Sequence, residues 1–188
     1  MKDLLLFGIQ WSGKWTQSAL LQKEYPWLYS YFSTWDIFRA INSTDNAIGN
    51  YVKDRIATWQ LINDKVTLAL FDAYMQTVID ESKNMLLDWF PRTIPQMEVM
   101  MDYLQQAHRD VIGIQFVISD DVAMQRMKER WRSDDTDVTI RHRLEQFHQK
   151  TQPVIDRFEK HWTLIKINAE RKVSEIFEDL DRVIKATK

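Results

Sequence analysis

The run Gly8-Ile9-Gln10-Trp11-Ser12-Gly13-Lys14-Trp15-Thr16 sets two glycines, a lysine and two hydroxyls close together in the chain. A G-x-x-x-x-G-K frame between a strand and a helix binds phosphate. Backbone N–H groups and the helix N-terminus surround the oxygens, and the lysine reaches the terminal ones. Trp15 stands where Ser or Thr usually follows the lysine, and Thr16 comes one place later. Arginines recur downstream at Arg39, Arg92, Arg126, Arg130, Arg132 and Arg143. Guanidinium forks match phosphate oxygens bidentately, and phosphoryl transfer asks for positioned cations rather than covalent chemistry. Taken singly, these residues also have plainer readings. Arg126 and Arg130 are spaced i,i+4 as on a solvated helix face, Asp134-Asp135 could cap a helix, and Asp88 could end a strand in a turn.

The surrounding pattern can position them. Leu4-Leu5-Leu6-Phe7-Gly8-Ile9 reads as a buried strand, and Lys14 to Tyr25 as a helix with Ala19, Leu20 and Leu21 inward. Tyr31-Phe32-Ser33 is a short strand. Helices follow from Trp35 to Glu81, broken near Asn42–Asn46 and Trp59–Asn63. Asn84 to Asp88 and Val111 to Ile118 are further strands, separated by a helix from Ile94 to Gln106. A capped helix starts at Asp120, and a long one from Asp137 to His161 should bend at Pro153. A strand over Thr163–Ile167 and a helix over Lys172–Thr187 complete the chain. Alternating strands and helices predict a parallel sheet covered on both faces, with ligands beyond the strands' C-terminal ends. Met97, Met100 and Met101 read as core filling, and the four histidines as surface residues.

At 188 residues the chain suits one domain. Its 25 Lys and Arg against 27 Asp and Glu leave a net charge of −2, so no global basic field argues for nucleic acid. Without cysteine there is neither a disulfide framework nor a thiolate zinc site. No apolar run has the length of a membrane span, and a cytoplasmic protein is the expectation.

The motifs together resemble the adenylate kinase family over nearly the whole chain. With glycine at Trp11 and Trp15, the first loop becomes G-I-Q-G-S-G-K-G-T-Q, similar to that family's P-loop. Ser33-Thr34-Trp35-Asp36-Ile37-Phe38-Arg39 resembles S-T-G-D-x-x-R, and Asp88-Trp89-Phe90-Pro91-Arg92-Thr93-Ile94-Pro95-Gln96 resembles D-G-F-P-R-T-x-x-Q. Arg126, Arg130-Trp131-Arg132-Ser133-Asp134-Asp135 and Arg143 are similar to a short-lid pattern, and Thr151-Gln152-Pro153-Val154-Ile155 to T-A-P-L-I.

The resemblance implies an α/β P-loop fold of three layers with a central parallel five-stranded sheet. It implies an inserted helical AMP-binding subdomain over 34–63 and a short lid over 126–137, without the zinc-bearing lid of some relatives. The implied reaction is ATP + AMP ⇌ 2 ADP with Mg²⁺, in nucleotide homeostasis, carried out by a monomer. Gly8, Trp11, Ser12, Gly13, Lys14, Trp15, Thr16 and Arg126 would then surround ATP. Thr34, Arg39, Gln60, Ile62, Trp89, Arg92, Gln96, Arg132 and Arg143 would surround AMP, with Thr34 and Gln96 facing the base. Lys14, Arg92, Arg130, Arg132 and Arg143 would act on the transferred group, Asp134 and Asp135 would steady the lid, and Asp88 would order the water shell of Mg²⁺. A UMP/CMP kinase is the nearest alternative enzyme.

The tryptophans break the pattern. Glycine is 4 of 188 residues, about 2% against an ordinary ~7%, while tryptophan is 8. Trp11, Trp15, Trp35, Trp59, Trp89 and Trp131 fall where the family pattern has glycine, a coincidence of order 10⁻⁷ for six independent positions. Trp27 and Trp162 lie in turns that suit glycine. Reading all eight as glycine brings its share to about 6%. These positions therefore read as UGA codons decoded as glycine in the source organism, with left-handed backbone expected at many of them. The contrasting reading is a degenerate pseudokinase whose indoles fill the phosphate cradle.

Overall fold

β1 (Asp3–Phe7) is buried along its whole length, as an unbroken apolar run predicts for a strand covered on both faces. Its side chains alternate between two cores. Leu4 and Leu6 join one with Leu21, Ile112, Ile114, Ile176 and Leu180, whereas Leu5 and Phe7 join the other with Phe32, Phe71, Leu87, Met97 and Phe158. The computed structural model describes residues 2–58, 60–129 and 137–187.

Among the described residues, β1 is flanked by β2 (Tyr29–Ser33), β3 (Asn84–Asp88), β4 (Val111–Val117) and β5 (Leu164–Asn168) in the order β2-β3-β1-β4-β5, all parallel. Leu6 and Ser33 both pair with Asp88, so β1, β3 and β2 end level with one another. α1 (Lys14–Glu24) and α9 (Val173–Ala186) cover one face. α4 (Asp64–Thr77), α5 (Ile94–Gln106), α6 (Asp120–Glu129), α7 (Asp137–Gln146) and α8 (Gln152–His161) cover the other. The helices that follow the neighbouring strands β1 and β3 thus leave on opposite faces. A crevice opens between those strand ends, where open α/β sheets bind ligands. α2 (Thr34–Asn42) and α3 (Ala47–Ala57) stand apart from the sheet on a small core of Phe38, Val52 and Ile62.

Three details differ from the sequence reading. α1 turns Gln17, Ser18 and Leu21 inward while Ala19 is exposed, because the helix starts at Lys14 with that lysine buried, which fixes its rotation. β2 begins at Tyr29 rather than Tyr31, its first residues being recruited by pairing with Asn84 and Met85. The bend expected at Pro153 is instead a π-helical turn over Phe147–Thr151, with Pro153 in the first turn of α8, where its missing N–H costs nothing. Met97 and Met100 are core residues as expected.

Left-handed backbone occurs at Trp11 (φ 65°) and Trp89 (φ 61°), but at none of the other described tryptophans. Trp162 is extended and packs on Phe158, and Trp27 is an exposed turn residue. The expectation of widespread left-handed conformation therefore narrows to two positions, both in loops at the crevice. Trp59, Arg130, Trp131, Arg132, Asp134 and Asp135 lie outside the described residues.

Candidate active site

The loop after β1 turns tightly around two glycines. Gly8 has φ +149°, and a Cβ there would meet Ser12 Oγ at 2.6 Å and the Phe116 carbonyl at 2.8 Å. Gly13, at φ +91°, is the N-cap of α1. Neither a capping side chain nor an acidic residue occupies the first turn of α1, so its leading N–H groups and positive dipole end face the crevice. Lys14, 6% exposed, folds back into this loop and donates to the Gly8 and Ile9 carbonyls. Burial lowers its pKa to about 8, opposed by the attraction of Asp88.

β3 delivers the opposing wall. Asp88, fully buried, accepts from the Trp89 N–H at 2.9 Å and from the Tyr31 hydroxyl at 3.3 Å. Burial raises its pKa to about 6, against the pull of Lys14. Arg92 follows a cis Phe90–Pro91 bond, and burial lowers its pKa to about 10. The Trp89 indole lies close to both cations, its ring centre 5.2 Å from Lys14 Nζ and 5.0 Å from the Arg92 guanidinium, and stacks on Trp35 at 5.5 Å. It thus takes up room beside both cations, at the wall of the crevice.

A cavity of about 560 Å³, of the size small-molecule sites have, runs from this wall past α1 to the start of α9. It collects Gly13, Ser12, Thr16, Thr34, Arg39, Gln60, Ile62, Arg126, Arg143 and Gln96 with Lys14, Arg92, Trp11, Trp15, Trp35 and Trp89. Gly8 lies at its edge, in an adjoining pocket with Lys14 and Trp89. The sequence candidates that fall in the described residues are therefore brought together around one space, Asp88 sitting behind Trp89.

Several of them are engaged within the protein. Thr34 Oγ1 donates to the Trp89 carbonyl at 2.8 Å, and Gln60 accepts from Arg55. Arg126 ties the first loop to the β5–α9 loop, donating to the Trp11 and Ala169 carbonyls at 3.2 and 2.9 Å. Trp15, 56% exposed, lines the mouth, so the deeper obstruction is Trp89 rather than Trp15.

Sequence reasoning missed Arg171 from the β5–α9 loop and Val173 and Ile176 from the start of α9, which line the cavity, and Asp64, which holds Gln96. An arginine in a loop and an aspartate at a helix start have no distinguishing spacing. Lys14, Arg39, Arg92, Arg126, Arg143 and Arg171 line the cavity, whereas no Asp or Glu among the described residues does. A chain of net charge −2 thus sets six of its 25 Lys and Arg around this one space, an arrangement that favours a polyanionic ligand. Among the described residues, no helix is long and apolar enough to cross a membrane.

Comparison with known proteins agrees with this geometry. The adenylate kinase family model matches residues 6–163. The adenylate kinase of Corynebacterium glutamicum (strain R) is 33% identical over 174 residues, covering 92% of this chain and 93% of that protein. That of Parasynechococcus marenigrum (strain WH8102) is 32% identical over 188 residues, covering 98% and 100%. That of Parabacteroides distasonis is 30% identical over 196 residues, covering all of both. The cation-lined cavity beside a glycine loop on a five-stranded parallel sheet is consistent with these matches. The family model over residues 6–163, together with relatives 30–33% identical over at least 92% of the chain, places it in the adenylate kinase family.

Proposed function

We propose that the chain transfers the γ-phosphoryl group of Mg²⁺-bound ATP to the phosphate of AMP, giving two ADP, and reverses the reaction. The observation that carries this reading is the acid-free ring of six cations around a cavity that begins at the phosphate loop. Lys14 and the N-terminus of α1 hold the donor phosphates, and Arg126 lies against the donor nucleotide. Arg39 and Arg92 hold the acceptor phosphate, with Thr34 and Gln96 toward its base and Gln60 and Ile62 on the same side. Arg92 and Arg143, joined by Arg130 and Arg132, offset charge on the equatorial oxygens during transfer. Residues 34–63 form the acceptor subdomain and 126–137 the lid, which close to exclude water from the transferring group.

Among the described residues no cluster of three or more His, Asp or Glu gathers to hold a metal. The buried carboxylate of Asp88, at the end of β3 beside Lys14, suits an ion that is held mainly by nucleotide and water, and it would order that water shell. Mg²⁺, when bound, offsets charge on the β and γ oxygens.

The active polypeptide carries glycine at the eight tryptophan positions. Support comes from the left-handed backbone at Trp11 and Trp89 and from the Trp89 indole packed close to both Lys14 and Arg92. Coupled assays with AMP, UMP, CMP and GMP as acceptors test the reaction on the glycine-bearing chain. A preference for AMP is expected, and comparable kcat/KM for UMP or CMP would remove the adenylate assignment. Sequencing the gene tests the decoding: UGA is expected at these codons, and UGG would refute it.

A further inference from the structure

Gln96 is 2% exposed, and its amide is gripped by two partners that each work in one direction only. Its Oε1 accepts from the Arg92 backbone N–H at 2.8 Å, and its Nε2 donates to Asp64 Oδ1 at 2.8 Å. A backbone N–H can only donate and an ionised carboxylate can only accept. Rotating the amide by half a turn would therefore set carbonyl against carboxylate and NH₂ against N–H, losing both bonds at once. The same Asp64 oxygen also accepts from Thr93 Oγ1 at 3.0 Å, and Thr93 caps the helix on which Gln96 sits. Asp64 itself does not line the cavity; it is the first residue of α4, the helix that returns the chain from α2 and α3 to the sheet.

We propose that Asp64 is a positioning residue for acceptor selection, locking the Gln96 amide in the one orientation that pairs with an amino-bearing purine edge. The inference rests on the AMP reading above. With its inner bonds fixed, the amide keeps one N–H and one carbonyl lone pair, in a set order, for a ligand in the cavity. Adenine offers a ring-nitrogen acceptor beside an amino donor. Guanine offers an oxo acceptor beside a ring N–H, the reverse order on a base of similar size. A freely rotating amide satisfies either, and a locked one satisfies only one. Selectivity then comes from a carboxylate that never touches the base.

The test uses the glycine-bearing full chain and its Asp64→Ala and Asp64→Asn variants, with AMP and GMP as acceptors. Asp64→Ala should lower the AMP-to-GMP ratio of kcat/KM by about 10–100-fold, the worth of one hydrogen bond to a charged group. The change should appear in the acceptor KM, with kcat and the KM for ATP nearly constant. Asp64→Asn keeps the shape but can turn either its oxygen or its NH₂ toward Gln96, so its ratio should fall between those of parent and Ala variant. It carries the test if Asp64→Ala does not melt cooperatively. A folded variant that keeps the parent's ratio, or loses activity only through kcat or ATP affinity, overturns the proposal. A parent chain without AMP preference refutes the AMP reading before Asp64 is touched.

Discussion

At the scale of single residues, the site is a set of charges held where water cannot solvate them. Lys14 at about 8 and Asp88 at about 6 are each displaced toward neutrality by burial. For stability the signs are opposite. The depressed Lys14 contribution is lost as pH falls through about 8, and the raised Asp88 contribution is lost as pH rises through about 6. Near neutrality both groups are charged in a site that resists charge, and phosphates bound as proposed would relieve the lysine. The kcat/KM profile for ATP should therefore fall above about pH 8 and below about pH 6, whereas the alkaline limb of kcat moves upward once phosphates surround Lys14. An alkaline limb at the same pH in both profiles would show that Lys14 does not meet the donor phosphates. Lys14→Ala or Arg92→Ala should lower turnover by about 10²–10⁵. Arg39→Ala, with its exposed side chain, should act mainly on the KM for AMP. Steady-state kinetics separate these effects, and near-normal kcat in Arg92→Ala would remove its assigned role.

Among the elements, what the sequence made legible follows from local signals. The strand from Asn84 to Asp88 and the helix from Ile94 to Gln106 have the expected bounds, because an apolar run ends at a charge and a Thr-Ile-Pro turn caps a helix. The phosphate loop was legible because its glycines are forced by geometry rather than by packing. The inward face of α1 was not, since it buries Gln17 and Ser18 instead of Ala19, a choice made by tertiary contacts such as Gln17 Nε2 donating to Val173 O. Asp64 was hidden because its partner Gln96 lies 32 residues away. A second long-range tie joins β1 to its neighbours. Buried Asp3 accepts from Arg109 through two bonds of 2.8 Å and from the Met85 N–H at 2.7 Å. Arg109 also donates to the Lys83 carbonyl, so this pair fastens the strand ends opposite the active site. Arg109→Ala leaves a buried carboxylate facing a single N–H and should cost about 3–5 kcal/mol, read as a lowered melting temperature with kcat unchanged.

Across the whole molecule, the tryptophans set the difference expected between the chain as written and one with glycine in their places. A non-glycine residue held at positive φ costs on the order of 1–3 kcal/mol, so Trp11 and Trp89 together cost about 2–6 kcal/mol. A domain is stable by only about 5–15 kcal/mol, so the literal chain can fold but with much of its margin removed. Three other described indoles are less costly: Trp162 packs on Phe158, and Trp15 and Trp27 stand largely in solvent. The functional loss is therefore expected to exceed the loss of stability, because Trp89 crowds both Lys14 and Arg92 and stacks on Trp35. This yields an ordered series. Trp89→Gly alone should recover nucleotide binding in part, by freeing the two cations. Trp11→Gly with Trp89→Gly should raise the melting temperature, since both strained positions are relieved. Glycine at all eight positions should give cooperative melting and full ADP formation. Thermal melts, ATP titration and ADP formation across the four chains measure the series. If the literal chain forms ADP as fast as the all-glycine chain, the tryptophans are native residues of a site that works around them.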